Sequence, residues 1–131
     1  MTSPHPPSQI IPLNAELLDI GDIARFLQVN PKTVSRWCLA GCFESIQTPN
    51  GKRRIRTNSL LACIRESDNS YPSDFSDPLL KVSEVAKKLG VRPKSISNRI
   101  GEGGFPAIRI GVGKGLYYIR QSKLDELLEQ N

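Results

Sequence analysis

Two short runs of polar and basic side chains carry most of the chemistry open to this chain. The first is Lys32, Thr33, Ser35 and Arg36, and the second is Lys94, Ser95, Ser97, Asn98 and Arg99. Each run follows a proline, Pro31 or Pro93, and is interleaved with apolar residues. These side chains suit hydrogen bonding to base edges: Arg or Lys donates to guanine, Asn pairs with adenine, and Ser or Thr serves either. A second basic element follows each run. Lys52, Arg53 and Arg54 come just after Asn50-Gly51, and Lys114 sits in Gly-Val-Gly-Lys-Gly. Cations on a tight turn suit contacts to phosphate, which position a protein on a duplex without reading sequence. Charge that merely solvates a face is the bland alternative. It loses weight because the arrangement occurs twice.

Other chemistries find less support. Gly-Val-Gly-Lys-Gly resembles part of a phosphate-binding loop, but Gly115 stands where Ser or Thr is required, and no strand–helix–strand context surrounds it. The single histidine, His5, lies in a proline-rich tail, and no carboxylate pair has an evident common pocket, so no catalysis and no cofactor are expected. The three cysteines, Cys38, Cys42 and Cys63, lack the second Cys/His pair of a zinc site. Cys38 aligns with Ile100 and Cys63 with Leu127 in the internal repeat described next. Both are therefore expected to act as small core hydrophobes, whereas Cys42 aligns with Gly104 and could be exposed.

The elements that position these residues are spelled out twice. LLDIGDIARFLQVNPKTVSRWCLAGCFESIQ, from Leu17, aligns without a gap with LLKVSEVAKKLGVRPKSISNRIGEGGFPAIR, from Leu79. Eleven pairs are identical, among them Ala24/Ala86, Pro31/Pro93, Ser35/Ser97 and Gly41/Gly103. A repeat this long is a whole small domain in two copies. In copy one, Ile20, Ile23, Ala24 and Leu27 have the one-face spacing of a helix over Asp19–Gln28. Copy two repeats it with Val82, Val85, Ala86 and Leu89, Ser83 as the expected N-cap and Gly90 as the stop. A second helix starts at Pro31 or Pro93, where proline suits the first helical position. Asn30 is a sound cap for it and Arg92 a poor one. Val34, Trp37 and Cys38 face inward, with Ile96 and Ile100 as counterparts, and the polar runs face out. A hairpin follows, marked by Asn50-Gly51, and a last short apolar helix closes each copy. The order predicted is helix, turn, helix, hairpin, helix.

The expected organisation is a disordered tail over 1–14, one domain over 15–66, an acidic linker over 67–78 and a second domain over 79–131. The tail holds four prolines and no helical or strand period. Fully extended, the twelve-residue linker would reach about 40 Å at roughly 3.3–3.6 Å per residue. The net charge is +5, and the acidic residues Glu66, Asp68, Asp74 and Asp77 concentrate in the linker region, so the two domains are more basic still. That balance favours nucleic acid over a membrane as partner. No signal peptide and no apolar run of membrane-spanning length are visible, so the expected location is cytoplasmic, on the nucleoid.

Two short helices joined by a tight turn, the second basic and followed by a basic hairpin, describe a winged helix-turn-helix. On DIGDIARFLQVNPKTVSRWCLAG, KVSEVAKKLGVRPKSISNRI and GLYYIRQSKLDELL, both copies resemble the winged helix-turn-helix of the MerR superfamily in the compact form of phage and transposon excisionases. The resemblance implies a mainly α fold with small β-hairpin wings. It implies base contacts from Thr33, Arg36, Ser95 and Asn98, and wing contacts from Arg53, Arg54 and Lys114. Two departures stand out: Arg99 replaces the aromatic found at Trp37, and no long coiled-coil helix follows either copy.

The expectation is therefore a sequence-specific binder of double-stranded DNA. A bacterial or mobile-element repressor reading a bipartite site with unlike halves is the first reading. The alternatives are an excisionase-type factor that bends DNA and recruits a recombinase, or an adaptor whose second domain binds protein. A second copy of the chain on DNA is a further candidate partner.

Overall fold

The computed structural model describes residues 16–113 and 115–129, so the 1–14 tail and Lys114 lie outside the described residues. Strand β1 (Leu17–Asp19) leads into helices α1 (Ile20–Leu27) and α2 (Pro31–Leu39), hairpin strands β2 (Ser45–Gln47) and β3 (Arg53–Arg56), and helix α3 (Thr57–Arg65). The order recurs as β4 (Leu79–Lys81), α4 (Val82–Leu89), α5 (Pro93–Gly101), β5 (Ile108–Ile110), β6 (Leu116–Arg120) and α6 (Gln121–Glu129). Two antiparallel three-stranded sheets result, ordered β1-β3-β2 and β4-β6-β5. The architecture is mainly α with small β-hairpin wings, in two tandem helix-turn-helix units.

The opening strand of each unit is a correction to the sequence reading. Three residues, Leu-Leu-Asp or Leu-Leu-Lys, show no alternation, and they become strand only by pairing with the distant return strand: Leu18 lies opposite Ile55 and Leu80 opposite Ile119. The first helix accordingly starts at Ile20. Asp19 caps it, its carboxylate accepting the Asp22 amide at 2.7 Å while the Asp22 carboxylate accepts the Asp19 amide at 3.0 Å. In the second unit the expected N-cap Ser83 is also corrected. The strand runs through Lys81, so the helix starts at Val82 and Ser83 falls inside its first turn. Lys81 occupies the cap position without a side-chain cap bond, and its ammonium reaches the Gln28 carbonyl of the first unit at 3.2 Å. The second helices start as expected. Asn30 accepts the Lys32 amide at 2.9 Å ahead of Pro31, and Arg92 contributes no side-chain bond.

Each unit has its own core: Leu18, Ile23, Leu27, Val34, Ile55 and Leu60 in the first, and Leu80, Val85, Ala86, Ile96, Ile119 and Leu124 in the second. The first core does not stop at the unit boundary. It continues through Tyr71 and Phe75 of the connector into Leu79, Ile108, Ile110 and Tyr118 of the second unit. Strand alternation explains how. In β6, Ile119 faces its own helices while Tyr118, paired with Ile108, faces the other way, onto the first unit. The first sheet has Arg54 paired with Ile46 at the corresponding positions, and Ile46 is exposed. Around Tyr118 and Ile119 the second sheet is thus packed on both faces, and the first sheet on one.

The connector folds against both units and does not extend. Tyr71 and Phe75 are buried, and Phe75 meets Phe26 edge-on at 5.8 Å between ring centroids. Arg65 donates to the Tyr71 carbonyl at 2.8 Å, and the Tyr71 hydroxyl donates to the Asp77 carbonyl. Arg120 of β6 then grips the connector's acids, pairing with Asp77 at 2.7 Å and Asp68 at 2.9 Å. The acidic residues that look like linker solubility charge in the sequence include two partners of one arginine.

Cys38 is buried, and Cys42 and Cys63 are half-buried against the same core. Burial pushes the Cys63 thiol up to about 11, with Glu66 and Cys42 adding to the effect. A thiol so raised reacts slowly as a nucleophile at neutral pH, because the thiolate is the reactive form. Iodoacetamide at pH 8 should alkylate Cys63 far more slowly in the folded protein than in denaturant. The same shift makes folding stability insensitive to this group below its ordinary value of 9.0 and lowers it as pH rises toward 11. Alkylation at equal rates in both states would contradict the burial.

Candidate nucleic-acid interface

The first polar run lies on α2. Lys32 and Arg36 are exposed, and Thr33 and Ser35 are half-buried. Val34, Trp37 and Cys38 form the buried stripe on the opposite side, which fixes which way the run faces. On α5, Lys94, Ser95, Ser97, Asn98 and Arg99 are all exposed, around a buried Ile96. Among the described residues, neither Arg36 nor Arg99 takes part in an ion pair, so both guanidinium groups retain their full donor capacity.

The first wing is a tight turn closed by the Thr48 amide donating to the Lys52 carbonyl at 2.7 Å, with Gly51 at φ +86°. That left-handed conformation suits glycine. Lys52 is exposed at the turn. Arg53 and Arg54 are consecutive on a strand and so point to opposite faces of the sheet. Arg53 donates to the Ser45 hydroxyl at 2.9 Å, and Arg54, half-buried on the other face, donates to the Arg53 carbonyl at 3.3 Å. The second wing differs in chemistry. Its described residues include exposed Val112, Leu116 and Tyr117.

The two units meet at the C-terminal end of α1 and at Trp37 of α2. The Tyr118 hydroxyl donates to the Leu27 carbonyl at 2.7 Å in a buried position, next to the Lys81–Gln28 contact. Trp37, 5% exposed, lies against Gly111 so closely that a Cβ there would sit 2.9 Å from the indole. This contact explains the departure at Arg99. Trp37 is covered by the next unit's wing, and α5 has no such neighbour among the described residues, so a cation stands at the equivalent place. Lys88, at the repeat position equivalent to the buried Phe26, is exposed on the same logic. Terminal repeats of a stacked array present a polar outer face for this reason.

A cleft of about 570 Å³ opens where the units join, lined by Asn30, Thr33, Arg36 and Trp37 on one side and Lys81, Val112, Gly115 and Leu116 on the other. A smaller cleft of about 250 Å³ lies between Ser97 of α5 and the same Gly115–Tyr117 segment. The segment 115–117 thus borders both polar runs. The amino-acid sequence does not single it out. Its signal there is indirect, in the mismatch of Trp37 with Arg99.

A helix, a tight turn, a second helix with an outward polar face and a hairpin beside it define the winged helix-turn-helix class, a DNA-binding architecture. The chain belongs to the helix-turn-helix domain family, whose model matches residues 17–68 and again 79–131. Family membership indicates DNA binding. Comparison with curated proteins and with solved structures gave no match. No helix among the described residues is long and apolar enough to cross a membrane.

Proposed function

We propose that the chain is a sequence-specific double-stranded DNA-binding protein that regulates transcription, most simply as a repressor occluding a promoter. The observation that carries this is the pair of unlike outward faces, Lys32, Thr33, Ser35 and Arg36 on α2 and Lys94, Ser95, Ser97 and Asn98 on α5. Two unlike readers imply a site in two unlike halves, one for each of the modules 15–66 and 79–131. The compact wing-bearing form, similar to MerR-type and mobile-element proteins, supports a bacterial or mobile-element origin and a place on the nucleoid. An excisionase-type architectural role is a second reading, favoured by the exposed Val112, Leu116 and Tyr117 of wing two. Apolar wedges of this kind unstack base steps and bend the duplex. In that role a recombinase, or a second copy of the chain, is the partner on DNA.

The test separates reader from clamp. Arg36→Ala should cost about 1–3 kcal/mol of binding and relax base choice at one position. Arg54→Ala or Lys52→Ala should weaken binding to all sequences and reduce the salt slope by about 0.9 for each phosphate no longer neutralised. Titration of a selected duplex and a scrambled one at several salt concentrations reads both effects. Equal losses on both duplexes for Arg36→Ala would remove it as a reader.

A further inference from the structure

We propose that the edge of the second hairpin, Gly115–Tyr117, lies against DNA between the two reading helices, so that both units read one uninterrupted segment within a single duplex turn at a spacing the chain does not adjust. The inference rests on the DNA-binding reading above and adds geometry to it.

Three observations carry it. The first is contiguity. Gly115 and Leu116, with Lys81, line both the cleft beside Thr33 and Arg36 and the cleft beside Ser97. One strand edge therefore separates the two reading faces. The span between the helices is that of one strand and the two clefts beside it. That is below the roughly 34 Å between successive half-sites of a two-fold helix-turn-helix dimer.

The second is rigidity. The Tyr118–Leu27 and Lys81–Gln28 hydrogen bonds, the Trp37–Gly111 contact and the shared core tie the units together, and Arg120 locks the connector. A free linker lets two readers search for their half-sites independently. This joint removes that freedom.

The third is chemistry. No carboxylate lines either cleft among the described residues, and Arg36 and Lys81 supply positive charge. Leu116 and Tyr117, consecutive on the strand, point to opposite faces of it and are 36% and 40% exposed. Apolar side chains there suit thymine methyl groups, which the major groove presents.

The experiment uses the full chain and a duplex enriched from random-sequence DNA. Base preferences are mapped for the natural chain, Arg36→Ala and Asn98→Ala, both exposed positions that leave the fold intact. The expected result is that each variant relaxes a different position, the two positions lie fewer than about ten base pairs apart, and inserting two base pairs between them lowers affinity at least about tenfold. Positions a full turn or more apart, an insertion tolerated with less than tenfold loss, or no changed position for Asn98→Ala would overturn the inference and leave DNA reading standing. If no sequence is enriched at all, the sequence-specific reading fails as well.

Discussion

Replacing Trp37 with alanine is expected to destabilise the protein by about 3–5 kcal/mol, a large share of the roughly 5–15 kcal/mol that holds a typical domain folded. The indole is buried between Phe43 of its own unit, edge-on at 6.3 Å between centroids, and Gly111 of the next. Alanine would leave a cavity at the joint that neither unit closes alone, since the wall on one side is hairpin backbone. Arg99 at the equivalent place is exposed, and Arg99→Ala should change stability by no more than about 0.5 kcal/mol. Urea unfolding of both variants provides the comparison. Comparable losses at Trp37 and Arg99 would show that the two positions are equivalent and that the joint does not form. Gly111→Ala attacks the same contact from the other side, combining φ +113° with a Cβ that has no room.

The second large effect is expected at Arg120. Its side chain is 12% exposed, its partners Asp77 and Asp68 are 10% and 22% exposed, and its guanidinium lies 5.4 Å from the Tyr71 ring centroid. Removing one member of a buried pair leaves uncompensated charge, so Arg120→Ala should cost about 3–5 kcal/mol. Ser122 still donates to Asp77 in that variant, through its amide at 3.0 Å and its hydroxyl at 2.5 Å, which tempers the loss. Acid provides an independent readout. Burial raises the Asp68 carboxyl, but hydrogen bonds from Ser70 and Arg120 outweigh it and hold the group below its ordinary 3.8. A carboxylate depressed on folding adds stability that is present above its unfolded value and lost as pH falls through the lower folded one. The natural chain should therefore lose stability below about pH 4. Arg120→Ala should show less of that decline, since part of the depression goes with the arginine. An unchanged acid profile would mean that the pair contributes nothing through Asp68.

Much of this was legible in the amino-acid sequence. The duplicated pattern gave the helix order, Pro31 and Asn30 marked the start of α2, Gly90 marked the end of α4, and Asn50-Gly51 marked the first wing. All are local signals: a backbone angle, a cap, a period. What was not legible involves partners far apart in sequence. Strand β1 exists because Leu18 meets Ile55, and Ser83 does not cap α4 because Lys81 is held in a strand opposite Tyr118.

By itself, then, the sequence determined the class of fold, its duplication and the two outward polar faces, because short-range periodicity and capping decide which side of a helix is wet. Only the tertiary structure decided that the units are one body. The residues responsible, Trp37, Tyr118, Tyr71 and Arg120, look in sequence like an ordinary core aromatic, two strand or linker tyrosines and a surface cation. Their roles depend on which surface each meets, and burial of apolar area between distant segments follows from the assembled shape and not from any local run of residues.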